Sequence, residues 1–208
     1  MMEKRSKNDV TRKRYDRLAF WYDFLEAPME QIGFASWRPK ILNRIRRGRT
    51  LEVGVGTGKN LPYYPEGLSL DAIDISPRML ERARKRAAGL NLSVNFQEMD
   101  VQELAFPDRV FDAIFATFVF CSVPDPVKGL RELRRVCKAG GELLLMEHMR
   151  PGNRVLGFLF DRLNPMVVRM MGANINRRTL DNIRLAGWRI RSEERLLSDI
   201  VRLIEAEP

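Results

Sequence analysis

The residues best equipped for chemistry fall in one short run, LEVGVGTGKN at Leu51–Asn60, and at two later acids, Asp74 and Asp100. Glycines at 54, 56 and 58 let the backbone turn tightly and approach a ligand closely. Their spacing departs from the fingerprint that seats a pyrophosphate, which wants its third glycine where this chain has Lys59. Glu52, just ahead of the first glycine, would oppose a phosphate and suits an ammonium. Asp74 follows Gly54 at the spacing of an acid that accepts hydrogen bonds from ribose hydroxyls, and Asp100 adds a carboxylate to which an adenine amino group could donate. In this order the three features ask for a nucleoside without phosphates, although aspartates at strand ends also serve as plain helix caps. His148, the sole histidine, closes the run LLLMEH. Its near-neutral titration makes it a candidate base, the alternative being a strand-end histidine bonded to backbone. Strand alternation sends Glu147 to the opposite face.

These side chains need a scaffold, and short apolar runs alternating with helix-like segments supply one. Strands are expected at Thr50–Val53, Ser69–Ile73, Ser93–Met99, Phe111–Ala116 and Gly141–His148, with two more at Trp188–Glu194 and Asp199–Glu205. Helices are expected near Asn60–Tyr63, Pro77–Ala88, Pro126–Val136 and Arg177–Ala186. Ser76-Pro77 makes a helix start and Lys138–Gly141 a helix stop. Strand–helix alternation means parallel pairing through crossover helices, an open α/β sheet with helices on both faces. Ahead of it, Tyr15–Gly33 carries helical spacing interrupted at Pro28, and Trp37–Arg46 reads as another helix. Residues 1–14 are mostly charged and lack an apolar stripe, so they read as a basic flexible arm, disordered or helical only on contact. The division is then an arm at 1–14 and a single domain at 15–208, with a helical cap at 15–47 and a lid-like insertion at 150–180.

On these motifs the chain resembles the class I S-adenosylmethionine-dependent methyltransferases over roughly residues 15–150. LEVGVGTG is similar to that family's first motif, AIDIS to its second, MDVQEL to its third, and RRVCKAGGELLLMEH to the turn into its fifth strand. The resemblance implies a Rossmann-like, mostly parallel sheet of seven strands, with the last antiparallel. It implies S-adenosyl-L-methionine as cofactor and S-adenosyl-L-homocysteine as product. Gly54, Gly56 and Gly58, with Thr57, would cradle the methionine portion, and Glu52 would lie near its ammonium. Asp74 would hold the ribose, Ile75 and Met79 would flank the adenine, and Asp100 with the Val101 backbone would read its amino edge. Thr117 would complete the cofactor set from the end of the fourth strand. YDRLAFWYDF and GFASWRPK narrow the likeness to bacterial phospholipid N-methyltransferases and quinone-biosynthesis C-methyltransferases. In those relatives aromatic residues of the first helix close over the cofactor, which assigns Tyr15 to cofactor binding and Tyr22 to catalysis beside His148; their alternative role is helix packing.

The receiver of the methyl group must be sought elsewhere. The loop ATFVFCSVPDP lacks the Asn- or Asp-Pro-Pro-aromatic motif of enzymes that methylate base amino groups, which argues against nucleic acid despite a formal charge of +9. A basic field also suits acidic lipid, or is only an arginine-rich solvated surface. The insertion RVLGFLFDRLNPMVVRMMG combines large apolar residues with Arg154, Arg162 and Arg169. It reads as a lid over an apolar substrate, a face lying on lipid, or an amphipathic core helix. Phosphatidylethanolamine-type N-methylation at a membrane surface is the leading expectation, with contact through 1–14 and 154–171. A quinone precursor, a thiol or a small soluble metabolite is the alternative acceptor. An RNA-binding or non-catalytic cofactor-binding protein is the alternative class. Cys121 and Cys137 read as reduced thiols, and no metal set is apparent. No apolar run approaches the ~20 residues that span a bilayer. The expected location is therefore cytoplasmic, with a peripheral seat on the inner membrane face.

Overall fold

The computed structural model describes residues 2–46 and 48–208, and for residues 2–7, 26, 32 and 171 the backbone only. Much of the charge read into the N-terminal arm, at Lys4, Arg5 and Lys7, therefore lies on side chains outside the described residues.

Seven strands form one sheet: β1 (Arg49–Val53), β2 (Ser69–Asp74), β3 (Asn95–Glu98), β4 (Phe111–Thr117), β5 (Cys137–His148), β6 (Arg189–Leu197) and β7 (Val201–Glu207), in the order β3-β2-β1-β4-β5-β7-β6. The first five pair in parallel, and β7 runs antiparallel to both β5 and β6. Central strands are buried on both faces, so they read as continuous apolar runs. Alternate residues separate two cores. Leu51, Val53, Ile114, Leu143 and Leu145 face α5 (Pro126–Val136) and α7 (Thr179–Leu185), whereas Phe115, Leu144 and Met146 face α3 (Ala35–Leu42). α4 (Pro77–Gly89) packs Leu80 and Ala83 beside Val55 and Ala72.

Local chemistry explains the helix starts. Ser76 Oγ accepts from the Met79 amide with Pro77 in the first turn, and Asp125 does the same for α5 with Pro126. The expected stop at Lys138–Gly141 is not used: Cys137 is already extended, and those residues form an irregularity within β5 where its register against β4 shifts.

The N-terminal region also differs from expectation. Met2–Leu18 is a helix, α1, in contact with the domain. Sequence periodicity misses it because its anchors are polar: Asn8 Nδ2 donates to Asp100 (2.6 Å), Arg12 pairs with Glu98 (3.5 Å), and Ser76 Oγ donates to Asp16 (2.6 Å). Pro28 lies inside α2 (Tyr22–Met29) and does not interrupt it. The break comes at Gly33, which adopts φ 155° within a π-helical turn; a Cβ there would stand 2.6 Å from the Trp37 ring.

The insertion forms α6 (Arg154–Met171), capped by Asn153 and closed by Gly172 in the left-handed region. It is not a core helix. Val155, Phe158, Leu159, Met166 and Met170 are exposed along it, Met170 by 70%.

Candidate active site

β1, β2 and β4 end together, and the loops leaving them line a half-open cavity to which α1 and α2 also contribute. Its wall includes Gly54, Gly56, Asp74, Ile75, Met79, Asp100, Val101 and Thr117, with Tyr15 and Tyr22 from the covering helices. All ten are residues to which the sequence assigned a site role. The wall also includes Thr11, Gln102, Ser122 and Pro124, to which the sequence assigned no site role. Gln102 had a faint signal in its place two residues after Asp100; Ser122 had none, because its role depends on a contact with Tyr15.

The glycine turn is built from backbone. The amides of Gly54 and Val55 both donate to Ile73 O, at 2.8 and 3.0 Å. Gly54, Gly56 and Gly58 all take positive φ, but only Gly56 has open space where a Cβ would stand. A Cβ on Gly54 would strike Val119 at 2.4 Å, and one on Gly58 would strike Leu61 at 2.5 Å. Gly56 thus presents bare backbone to the cavity, while Gly58 keeps the turn tight against α4. Asp74 locks it: Oδ2 accepts from Gly56 N and Oδ1 from Ser76 N, both at 2.9 Å. Burial raises the Asp74 carboxyl to about 6, against the lowering effect of those two amides.

Asp100 accepts from the Gln102 amide (2.9 Å) and side chain (3.1 Å) and from Asn8 of α1. On the other side Tyr15 Oη and Ser122 Oγ share a hydrogen bond of 2.5 Å, and the rings of Tyr15 and Tyr22 meet edge to face with centroids 6.1 Å apart.

Four assigned residues stand off the cavity wall. Glu52 is buried behind the turn, where Oε1 accepts from Asn60 Nδ2 (2.6 Å) and Oε2 from the Tyr64 hydroxyl. Burial pushes its carboxyl up to about 8. Thr57 is buried and donates to Asp23 (2.6 Å), which is held in turn by Arg82 and Arg86, both at 2.9 Å. Gly58 packs against Leu61. His148 lies behind Phe118, their ring centroids 6.3 Å apart; its Nε2 is buried without a hydrogen-bond partner, and desolvation lowers its pKa to about 4. Strand alternation holds as expected: Glu147 faces the other core. The buried Asn60 links the site together, donating to both Glu52 and Thr117 (3.1 Å) while accepting from Arg38 (2.7 Å).

An acid at the carboxyl end of β2 and another just past that of β3, with apolar Ile75, Met79 and Val101 on the same wall and bare backbone at Gly56, suit a nucleoside with a small charged tail. The comparisons agree. A family model described as "Methyltransferase domain" matches residues 51–145. A Cereibacter sphaeroides protein named phosphatidylethanolamine N-methyltransferase is 44% identical over 146 residues, 67% of this chain and 68% of its own. A demethylmenaquinone methyltransferase from Deinococcus radiodurans is 30% identical over 181 residues, covering 84% and 75%. This chain belongs to the S-adenosylmethionine-dependent methyltransferases. Solved structures place the methyltransferase in the class I fold: an S-adenosylmethionine-dependent methyltransferase from Thermotoga maritima aligns with TM-score 0.71 at 21% identity, over 94% of this chain and 98% of that one. The cyclase SpnF aligns with TM-score 0.66 at 20% identity, over 83% and 79%. One fold therefore hosts different reactions, and the activity rests on the sequence relatives.

Among the described residues, no helix is long and apolar enough to cross a membrane, and no cluster of three or more His, Cys, Asp or Glu side chains is arranged to hold a metal.

Proposed function

We propose that the methyltransferase transfers methyl groups to the amine of a lipid of the phosphatidylethanolamine type, working at an acidic membrane surface. The observation that carries this reading is the exposed apolar face of α6. Val155, Leu159, Leu163, Met166 and Met170 recur at helical spacing and are all exposed, with Arg162 and Arg169 on the same helix. A helix of that pattern, turned outward, suits the headgroup boundary of a bilayer. The turn between α1 and α2 adds Phe20 (72% exposed) and Trp21, and the first turn of α2 adds Phe24 (76% exposed). Lysines and arginines near an acidic surface add about 1 kcal/mol each. The name of the Cereibacter relative supports the acceptor class.

S-adenosylmethionine supplies an electrophilic methyl group, and this chain supplies position and enclosure. We assign Gly54 and Gly56 to the methionine portion, Asp74 to the ribose, Ile75 and Met79 to the faces of the adenine, and Asp100 with Val101 to its amino edge. Thr117 lines the donor side. Tyr15 and Tyr22 roof the cavity, where their ring faces suit an amine that becomes cationic as methyl groups accumulate. Tyr22 is the catalytic residue of this reading. His148 is a weak base at its lowered pKa and stands behind Phe118. Tyr22→Ala is therefore expected to lower turnover about a hundredfold and His148→Asn less than tenfold. The opposite ranking in initial rates, with cofactor affinity unchanged in both, would make His148 the base.

Labelled S-adenosylmethionine incubated with a total lipid extract tests the acceptor, with label expected in phosphatidylethanolamine derivatives. Label in a quinone would transfer the assignment to the class of the Deinococcus relative. For the surface reading, replacing Phe158, Met166 and Met170 together by Ser is expected to weaken binding to anionic vesicles at least about tenfold, because three apolar side chains leave the bilayer. The thermal midpoint should not fall, since all three are already exposed. Equal vesicle binding by the triple variant would sink the assignment of α6.

A further inference from the structure

The loop from Phe118 to Pro124, between β4 and α5, forms one wall of the cavity; Phe118 N donates to Met146 O at 2.8 Å and Ser122 N to Val119 O at 2.9 Å, and further bonds to its backbone come from outside the loop. Phe118 takes φ 57°, a left-handed conformation uncommon for a residue with a side chain, so surrounding structure must hold it. The holding groups come from beneath. Glu147, fully buried at the end of β5, accepts with Oε1 from the amides of Val119 (2.8 Å) and Phe120 (3.0 Å). Asn174 donates to Cys121 O from its amide and from Nδ2, both at 2.9 Å. Arg177 Nη2 donates to Val123 O at 2.7 Å. Three side chains from distant parts of the chain thus read the main chain of a single loop.

What this seats is visible at Gly54. Val119 fills the space that a side chain on Gly54 would occupy. The loop therefore presses directly on the glycine turn, and its height is set by the bonds to Glu147. Oε2 of Glu147 is buried without a hydrogen-bond partner, as is Nε of Arg177. A carboxylate with one oxygen unsatisfied costs stability that a plain packing residue would not. The arrangement makes sense where the other oxygen holds two amides that matter.

We propose that Glu147 is a positioning residue for the cofactor, seating Val119 against Gly54 so that the glycine turn keeps the shape that receives S-adenosylmethionine. It acts through the loop and touches no reacting atom. The proposal rests on the family's cofactor and is independent of which acceptor is methylated.

The charged state of Glu147 gives the distinguishing readout. Burial raises its pKa to about 7, so it ionises near neutrality. The groups facing it are Cys121, whose thiol burial pushes up to about 12, and Arg177, itself near Asp125. Arg202, opposite Glu147 on β7, is committed to Glu193 and Asp199. An ionised carboxylate holds the two amides more strongly than a neutral one. Above pH 7 the loop is therefore clamped; below it the clamp weakens.

Titration of S-adenosylhomocysteine into wild type and Glu147→Gln by calorimetry tests this at pH 8 and pH 6. Gln is neutral throughout, so it resembles the protonated acid. The expected result is about a tenfold loss of affinity in the variant at pH 8, shrinking to about twofold at pH 6. Wild-type affinity at pH 8 would overturn the proposal, and so would an equal loss at both pH values, which means packing alone. Where Glu147→Gln does not fold, Asn174→Ala decides. Asn174 is only half-buried, and removing its Nδ2 bond should cost about threefold in affinity. Unchanged affinity in that variant overturns the loop as the element that shapes the glycine turn.

Discussion

Asp74→Ala is expected to lower S-adenosylhomocysteine affinity at least about a hundredfold, and to lower the thermal midpoint as well. Two losses combine. The carboxylate accepts from Gly56 N and Ser76 N, so truncation leaves two part-buried amides without partners and releases the glycine turn from β2. The cavity also loses the acceptor assigned to the ribose hydroxyls. Hydrogen bonds to a charged group are worth about 1.5–3 kcal/mol each, so two or more account for a hundredfold or greater effect. Asp74→Asn separates the contributions. It keeps the shape and one accepting oxygen but turns an NH₂ toward one of the two amides, so binding should stay poor while the fold is largely kept. Calorimetric titration with far-UV circular dichroism as a check on folding is the measurement. An Asp74→Ala protein that folds and binds within threefold of wild type would remove this cavity as the cofactor site.

The second large effect concerns pH. Glu52 at about 8 and Glu147 at about 7 both sit well above the ordinary carboxylate range because burial penalises their charged forms. The native state holds these protons more tightly than the unfolded chain does, so stability is fully present below the unfolded pKa and is lost as pH rises through the folded values. His148, lowered to about 4, acts the other way: its contribution is present above about pH 6.5 and is lost on acidification through pH 4. Between pH 6.5 and 8.5 the two carboxylates dominate. Unfolding free energy is expected to fall by about 3 kcal/mol across that window, mostly from Glu52. In thermal midpoint this is about 6–12 °C for a chain of this size. Glu52→Gln, a neutral side chain that can still accept from Asn60 or Tyr64, should flatten the slope and raise the midpoint at pH 8.5 toward its value at 6.5. A midpoint that rises with pH in wild type, or a slope unchanged in the variant, would show that Glu52 is ionised in the folded protein.

The behaviour of Glu52 also shows where sequence reading reaches its limit. The central parallel strands were legible because buried parallel strands are short apolar runs between turn residues, and the expected boundaries of all seven strands lie within a few residues of those observed. The cavity wall was legible at Gly54, Gly56, Asp74 and Asp100 because backbone turns and strand ends fix those positions with little help from elsewhere. Glu52 has the right type and spacing for a ligand contact, but its partners, Asn60 and Tyr64, come from the turn beyond the glycines. Nothing in the chain before folding says that they reach back. α1 was missed because it buries no apolar stripe of its own and is held instead by acids at the ends of β3 and the following loop. α6 could be read three ways because a core helix, a lid and a surface helix share one periodicity. Only the direction in which the apolar face points separates them, and that is a tertiary fact.

The outer strand β6 has a consequence for self-association. A sheet edge offers unpaired amides and carbonyls to any passing strand, including that of a second copy. Here the edge reads RIRSEERLL, so Arg189, Arg191, Glu193, Glu194 and Arg195 line it with charge, and its register slips twice against β7. A second copy docking edge to edge would have to bury those charges on a strand that is not evenly spaced. Contacts made through the outward apolar side chains of α6 therefore find no ready strand to extend into an intermolecular sheet at the β6 edge.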